Sequence, residues 1–529
     1  MMRILGAAAV AVSVAATTLA AEGPRRIFGP ADLFALQYAA DPQIRADGRQ
    51  IAYVRSSEDA MIDRERRAIW LIDPLTGAQA PMGGGEATQW SPRWSPQGDR
   101  LAYVALDASG RAQLWVRWMA SGADAKLADL PSAPSSIVWS PDGRQIAFSM
   151  LVEDRPTVLG PPLAKPEGAK WAEPLKIVSR LHYRQDGAGY LKPGYSQIFI
   201  VAADGGAPRQ MTFGAFESRG DLDWSPDGRT IVFAANRETN WALDPLAARI
   251  WALDVAGGAL APLTEQRGPA GEPVFSPDGR QIAWAGYTDH GRSYENAQIM
   301  VMNRDGSGLR SLSAGVDRAF FAPRWSGDGR TIFAAYADHG ATRIARLDLA
   351  GHMRPVADNL GGSEPDRPYN GGDFSVSRAG VAAFTLGGTE HPSDVGLSSD
   401  GHVRRLTDLN AGLFADKALA QVAPLIVASS VDKRPIDAWM MTPPNFDPAR
   451  KYPLILEIHG GPFAAYGPSF ASELQLYAAA GYVVVYANPR GSTSYGAEFA
   501  NLVDKTYPNQ DYDDLMSVVD AAIASGHVD

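Results

Sequence analysis

The sequence predicts a seven-bladed β-propeller followed by the beginning of a mostly parallel α/β sheet. Three observations carry this. A tight-turn motif recurs about every 50 residues, an apolar run of strand character follows each copy, and alternating strand and helix patterns replace the repeat after Leu409. The 529 residues exceed one ordinary domain, as this division requires.

The first segment reads as a targeting signal. Arg3 supplies a positive charge, Ile4 to Ala16 an apolar stretch, and Thr18 and Ala20 the small residues of a cleavage site after Ala20. Residues 1–20 are therefore expected to be a signal peptide and 21–39 an N-terminal segment, with the mature protein periplasmic or secreted. The apolar run is shorter than a membrane span and is interrupted by Ser13, Thr17 and Thr18, so no span is expected after cleavage. The formal charge is −10 with no basic block, which argues against nucleic acid as a partner. The chain has no cysteine, which excludes thiolate metal sites and cysteine nucleophiles. It also has no P-loop, dinucleotide fingerprint or H-E-x-x-H motif, so neither metal nor cofactor is expected.

Residues 40–408 carry the propeller. Trp139 to Arg144 and Trp224 to Arg229 both read Trp-Ser-Pro-Asp-Gly-Arg, and Phe275 to Arg280 differs only in its aromatic. Looser copies run from Trp94 to Arg100, Trp325 to Arg330 and Ala46 to Arg49, with a degenerate seventh from Phe374 to Gly380. Serine, proline and glycine in this order suit a type I turn, and the aromatic before the serine is placed to pack between neighbouring sheets. The turn glycines fall at 48, 98, 143, 228, 279, 329 and 380, giving intervals of 50, 45, 85, 51, 50 and 51 residues. Five of the six match one four-stranded blade. The long interval holds an insertion from about Val152 to Pro193, rich in proline, basic residues and aromatics such as Lys170, Trp171, Arg180, His182 and Tyr190. A loop of that length is expected either to reach over a substrate chamber or to pack on neighbouring blades.

Residues 409–529 change character. Ala418 to Ser430 and Pro435 to Met441 suit antiparallel strands. Leu454 to Ile458 is a short buried strand, Ser469 to Gly481 has helical spacing, and Tyr482 to Tyr486 is a second buried strand. Leu515, Val518, Val519, Ala522 and Ile523 place an amphipathic helix before about Ser525. Directly after the first buried strand stands His459-Gly460-Gly461-Pro462. A glycine-rich loop there leaves backbone N–H groups unobstructed, as the oxyanion hole of an α/β-hydrolase requires. One such donor lowers an acyl-transfer barrier by about 3 kcal/mol.

The repeats, His459-Gly460-Gly461-Pro462, and Asn488-Pro489-Arg490-Gly491-Ser492 together resemble the prolyl oligopeptidase family, over nearly all of the mature chain. Within it the sequence is most similar to the acylaminoacyl-peptidase-like bacterial branch. The prolyl oligopeptidase and dipeptidyl-peptidase IV branches place a tyrosine where His459 stands, and no Glu-Glu pair of the latter branch occurs in the propeller. The resemblance implies an incomplete α/β-hydrolase domain over 409–529 and a Ser–Asp–His serine peptidase acting on short peptides, with the propeller restricting access. It implies Gly461 and Gly460 as oxyanion donors, with His459 beside them as a substrate contact; the loop after Asn488 is expected either to line the site, with Arg490 and Tyr495 as substrate contacts, or to be a surface turn. No G-x-S-x-G elbow occurs, and neither Ser492 nor Ser494 has glycine at both flanking positions. The triad Ser, Asp and His are therefore expected beyond Asp529, and the chain by itself is expected to be inactive. The histidines of the propeller turns, His290, His339, His352, His391 and His402, are expected to be solvated rather than catalytic. The alternatives are a non-catalytic periplasmic binding propeller, which leaves the glycine loop unexplained, and a scaffold that has lost its triad. Oligomeric state is left open by the sequence.

Overall fold

The computed structural model describes residues 25–83, 88–154, 160, 163–172, 176–265, 267–362 and 364–529; the expected signal peptide lies outside them. Seven consecutive four-stranded antiparallel units occupy 37–81, 89–126, 134–210, 222–262, 270–311, 320–360 and 374–405. In each, the strands pair in chain order from the centre outward. The sixth and seventh units are also joined through the pair Leu360↔Leu386. The insertion lies inside the third blade, between strands Gln145–Glu153 and Gly194–Ala202.

The turn motif builds the blades by local chemistry. Ser140 O accepts the Gly143 N–H at 2.9 Å. The Ser140 hydroxyl donates to Asp142 Oδ1 at 2.6 Å and accepts the Gln145 N–H at 2.9 Å. Ser225, Ser276 and Ser326 repeat this pattern with Asp227, Asp278 and Asp328. The tryptophan before the serine tightens the ring. The indoles of Trp94 and Trp139 donate at 2.9 Å to the carbonyls of Gln43 and Arg93, each on the innermost strand of the preceding blade. Trp325 does the same to Val274 at 3.2 Å.

The ring closes without a strand shared between the ends of the propeller. Ala39 N–H donates to Ser393 O at 2.8 Å, and Ile44 N–H to Ser375 Oγ at 2.8 Å. Ile44 and Tyr53 of the first blade share an apolar core with Ala383 and Val395 of the seventh. Closure therefore rests on packing and a few hydrogen bonds.

The segment before the propeller crosses to the second domain. Arg26–Ile27 pairs in parallel with Lys417–Ala418, Phe28 packs against Phe414 and Phe470, and Lys417 Nζ bonds Asp32 at 2.8 Å. Beyond the propeller, strands β1 (Gln421–Ala428), β2 (Pro435–Thr442), β3 (Leu454–Glu457) and β4 (Val483–Ala487) form one sheet in the order β1-β2-β4-β3. The β1–β2 and β2–β4 pairs are antiparallel; β4–β3 is parallel, with Leu454 opposite Val483. Helix α1 (Ser472–Ala479) covers one face through Leu474 and Ala478, packed on Trp439, Val484 and Tyr486. Helix α2 (Asp511–Ala524) covers the other through Val518 and Ala522, packed on Ile436, Val483 and Val485. After α2 the chain returns to the sheet beside β3. Tyr452 N–H donates to His527 O at 2.9 Å, Asp529 N–H donates to Tyr452 O at 3.0 Å, and Tyr452 and Val528 form a parallel bridge.

Candidate active site

Two loops leave the carboxyl ends of the parallel pair β3 and β4, where open α/β sheets place their ligands. The first carries residues 458–467 and the second 488–496. At Gly461 φ is +131°, and a Cβ there would stand 2.6 Å from Phe463 N, so the turn admits glycine and little else. Gly460 and Gly461 are exposed, and no acceptor among the described residues takes the amide N–H of either. These are the properties an oxyanion donor needs: an oriented N–H, accessible, and not already satisfied.

His459 is turned away from solvent, 6% exposed. Its Nδ1 lies 3.0 Å from Gly460 O and its Nε2 3.0 Å from Ser492 Oγ, and its ring meets Tyr466 edge-on. Burial lowers the imidazole below its ordinary value, so it is neutral at pH 7. Ser492 is 1% exposed, and its Oγ also lies 2.7 Å from Pro489 O. A serine beside a histidine suggests a nucleophile and base, but both are enclosed, and the pair ties the two loops together. Asn488, which sequence reasoning left without a role, is the second tie. Its Oδ1 accepts the Tyr466 N–H at 2.9 Å, and its Nδ2 donates to Tyr466 O and to Tyr495 Oη, both at 2.8 Å.

Arg490 requires a correction. Expected as a substrate contact, it is 3% exposed and clamps β4 to α2. Its Nε and Nη2 donate to the two oxygens of the fully buried Asp514 at 2.8 and 2.9 Å, and its Nη1 donates to Gln510 at 2.8 Å. Ser429, just past the end of β1, bonds both partners: its Oγ accepts from Arg490 Nη2 at 3.0 Å and donates to Asp514 Oδ1 at 2.6 Å. Tyr495 lies at the junction of the two domains. Burial, with the Asp437 carboxylate nearby, raises its phenol well above the ordinary value, so it stays protonated and can donate.

The propeller covers this end of the sheet with the loops that join the second and third strands of its blades. In blade 6, His339 Nδ1 lies 2.9 Å from Asp437 Oδ2, its ring meets Tyr495 edge-on, and Gly340 N–H donates to Ser494 Oγ at 2.8 Å. Gly340 and Gly467 pass so closely that a Cβ on Gly467 would stand 2.0 Å from Gly340 O. In blade 5, Tyr294 stacks on Phe463 and bonds Asn501. Arg367, between blades 6 and 7, reaches Glu457 at 3.2 Å and Glu473 at 3.0 Å, and Tyr466 Oη donates to Glu457 at 3.0 Å. The glycine loop is thus buttressed by the propeller through Arg367, Glu457 and Tyr466. His339 is exposed, as expected of a turn histidine, yet carries an interdomain bond that its local sequence does not signal.

Fold and site together define a propeller-capped α/β enzyme whose glycine-rich turn faces the cap. Comparison with known proteins agrees. Residues 48–245 match the TolB beta propeller domain and residues 468–529 the prolyl oligopeptidase family. A peptidase of Bacillus subtilis described as uncharacterized, YuxL, is 31% identical over 519 residues, covering 94% of this chain and 76% of the relative. Dipeptidyl-peptidase 5 of Porphyromonas gingivalis is 22% identical, covering 99% of this chain and 76% of its own. The acylaminoacyl peptidase structure of Pyrococcus horikoshii superposes with a TM-score of 0.77 at 19% identity, over 95% of this chain and 74% of that one. The chain belongs to the prolyl oligopeptidase family.

Proposed function

We propose that this chain supplies the propeller and the oxyanion loop of an exported serine peptidase that cleaves short peptides through an acyl-enzyme. The carrying observation is the pair of exposed, unpaired amides at Gly460 and Gly461, held by His459, Asn488 and Tyr466 at the carboxyl end of β3 and beneath the propeller. In this reading the substrate carbonyl oxygen lies against the Gly461 N–H. As a serine hydroxyl adds to the carbonyl carbon, the oxygen gains charge and its hydrogen bond strengthens, which favours the transition state over the ground state. Tyr495, its hydroxyl held between Asn488 and Asp437, contributes its ring to the wall of the second loop that faces the peptide. The propeller rim admits extended peptides and excludes folded proteins.

No G-x-S-x-G motif occurs in the 529 residues, and among the described residues the serine that lies beside a histidine in the two loops, Ser492, is enclosed. The reading places the elbow on the strand that starts beside Tyr452 at Val528, with the triad Asp and His further along. Fluorophosphonate treatment of the purified 529-residue chain is the test, and no labelling is expected. Stoichiometric labelling at any of its serines would contradict the assignment. Export is checked by sequencing the amino terminus of the protein made in a Gram-negative host, where Ala21 is expected as the first residue.

A further inference from the structure

We propose that residues 176–194 of the insertion in blade 3 and the adjoining rim of blade 4 form a subsite for the carboxylate of a peptide; the proposal rests on the peptidase reading above. Position comes first. The insertion joins the second and third strands of its blade, as His339–Gly340 does in blade 6 and the loop through Tyr294 does in blade 5. Those two loops touch the α/β domain, so the insertion leaves the propeller on the same face, toward the candidate site.

Chemistry comes second. A cleft of about 920 Å³ opens between the insertion and blade 4, within the range of roughly 300–1,000 Å³ usual for small-ligand sites. Its shape is held by packing. His182 stacks on Trp241, Arg180 lies over Tyr195 and donates to Gly194 O at 2.7 Å, and a short hairpin pairs Arg184 with Tyr190. Arg184 and Arg219 line the cleft, and neither guanidinium has an acidic or hydrogen-bonding partner among the described residues. Lys176 lies over the Tyr190 ring with no carboxylate beside it among the described residues. Among the described lining residues the one acid, Glu217, is engaged by the Ser196 N–H at 3.0 Å. In a chain of net charge −10, a cleft whose free charges are basic selects for an anion. Guanidinium groups match a carboxylate in geometry. Apolar side chains stand exposed beside them, Ile177 at 53% and Tyr190 at 56%, which suits the flanking residues of a peptide better than a bare ion.

The carboxylate can be a peptide's C-terminus or a Glu side chain, and three labelled tetrapeptides separate these sources. One has neutral side chains and a free C-terminus, one is the same peptide amidated, and one is amidated with a single Glu. Fluorescence anisotropy with the purified chain should show at least tenfold tighter binding for one or both acidic peptides than for the neutral one. That margin should collapse in Arg184→Gln/Arg219→Gln and shrink as sodium chloride rises, while the neutral peptide is unaffected. The salt series on the unaltered chain keeps the test independent of how the variant folds. Equal binding of all three peptides, or a preference that survives the double substitution, overturns the subsite and leaves the peptidase reading intact. Binding of none of them overturns both.

Discussion

Arg490 and Asp514 form a buried ion pair that ties β4 to α2. Both are enclosed, and each satisfies hydrogen bonds that water cannot reach. Removing one charge strands the other, at a cost of about 3–5 kcal/mol. Arg490→Met should therefore lower the stability of this region by that amount in denaturant unfolding. Arg490→Met/Asp514→Leu should recover most of the loss, since an apolar pair replaces a buried ion pair at little net cost. Asp223, on the innermost strand of blade 4, gives the opposite case. Burial pushes its carboxyl up to about 7. The folded state then holds a proton that the unfolded chain releases near pH 4, so this residue's contribution to stability falls as pH rises from about 4 to about 7. Asp223→Asn removes the titration. The stability difference, variant minus parent, should grow across that window and stay level above it, as read by thermal melts at a series of pH values.

At the scale of the element, the turn motif is where sequence and structure meet most closely. Ser140, Asp142 and Gln145 bond one another within five residues, so the sequence alone exposes the device. The long-range contacts are silent in it. Arg490 stands in a glycine-flanked loop after a strand, which suggests a substrate contact, and its partner Asp514 comes near only when α2 packs on the sheet. The same holds for His339 with Asp437 and Arg367 with Glu473: each is one contact between distant segments, with no period to reveal it. That Gly460 and Gly461 leave their amides open is legible because a glycine turn after a buried strand is itself local. The turns also allow a clean test. Gly228 has φ +69°, and a Cβ added to it would have no heavy atom within 4 Å beyond its own chain neighbours, so a side chain there meets only backbone strain. Gly228→Ala should cost about 1–2 kcal/mol, and Gly228→Asn less, by thermal unfolding.

For the whole molecule, the propeller meets the α/β domain at the end of the sheet that carries the glycine loop. Arg367 braces the strand that leads into the glycine loop, the His339 turn meets Tyr495 and Asp437, and the N-terminal segment pairs with Lys417–Ala418 just before the α/β sheet. In the proposed reading the glycine loop needs a nucleophile delivered beside it, on a strand next to β3. The α2 helix already returns the chain to that edge at Val528, and a right-handed crossover makes it the adjacent parallel strand. The most direct measurement is fluorophosphonate labelling of the chain continued through its downstream codons, with the labelled residue located by mass spectrometry. The account predicts one labelled serine, within a G-x-S-x-G motif roughly 15 residues or fewer past Asp529, since a buried strand needs only about five residues before its elbow. Labelling at Ser492 or Ser494, or a continued chain that takes no label, would contradict it.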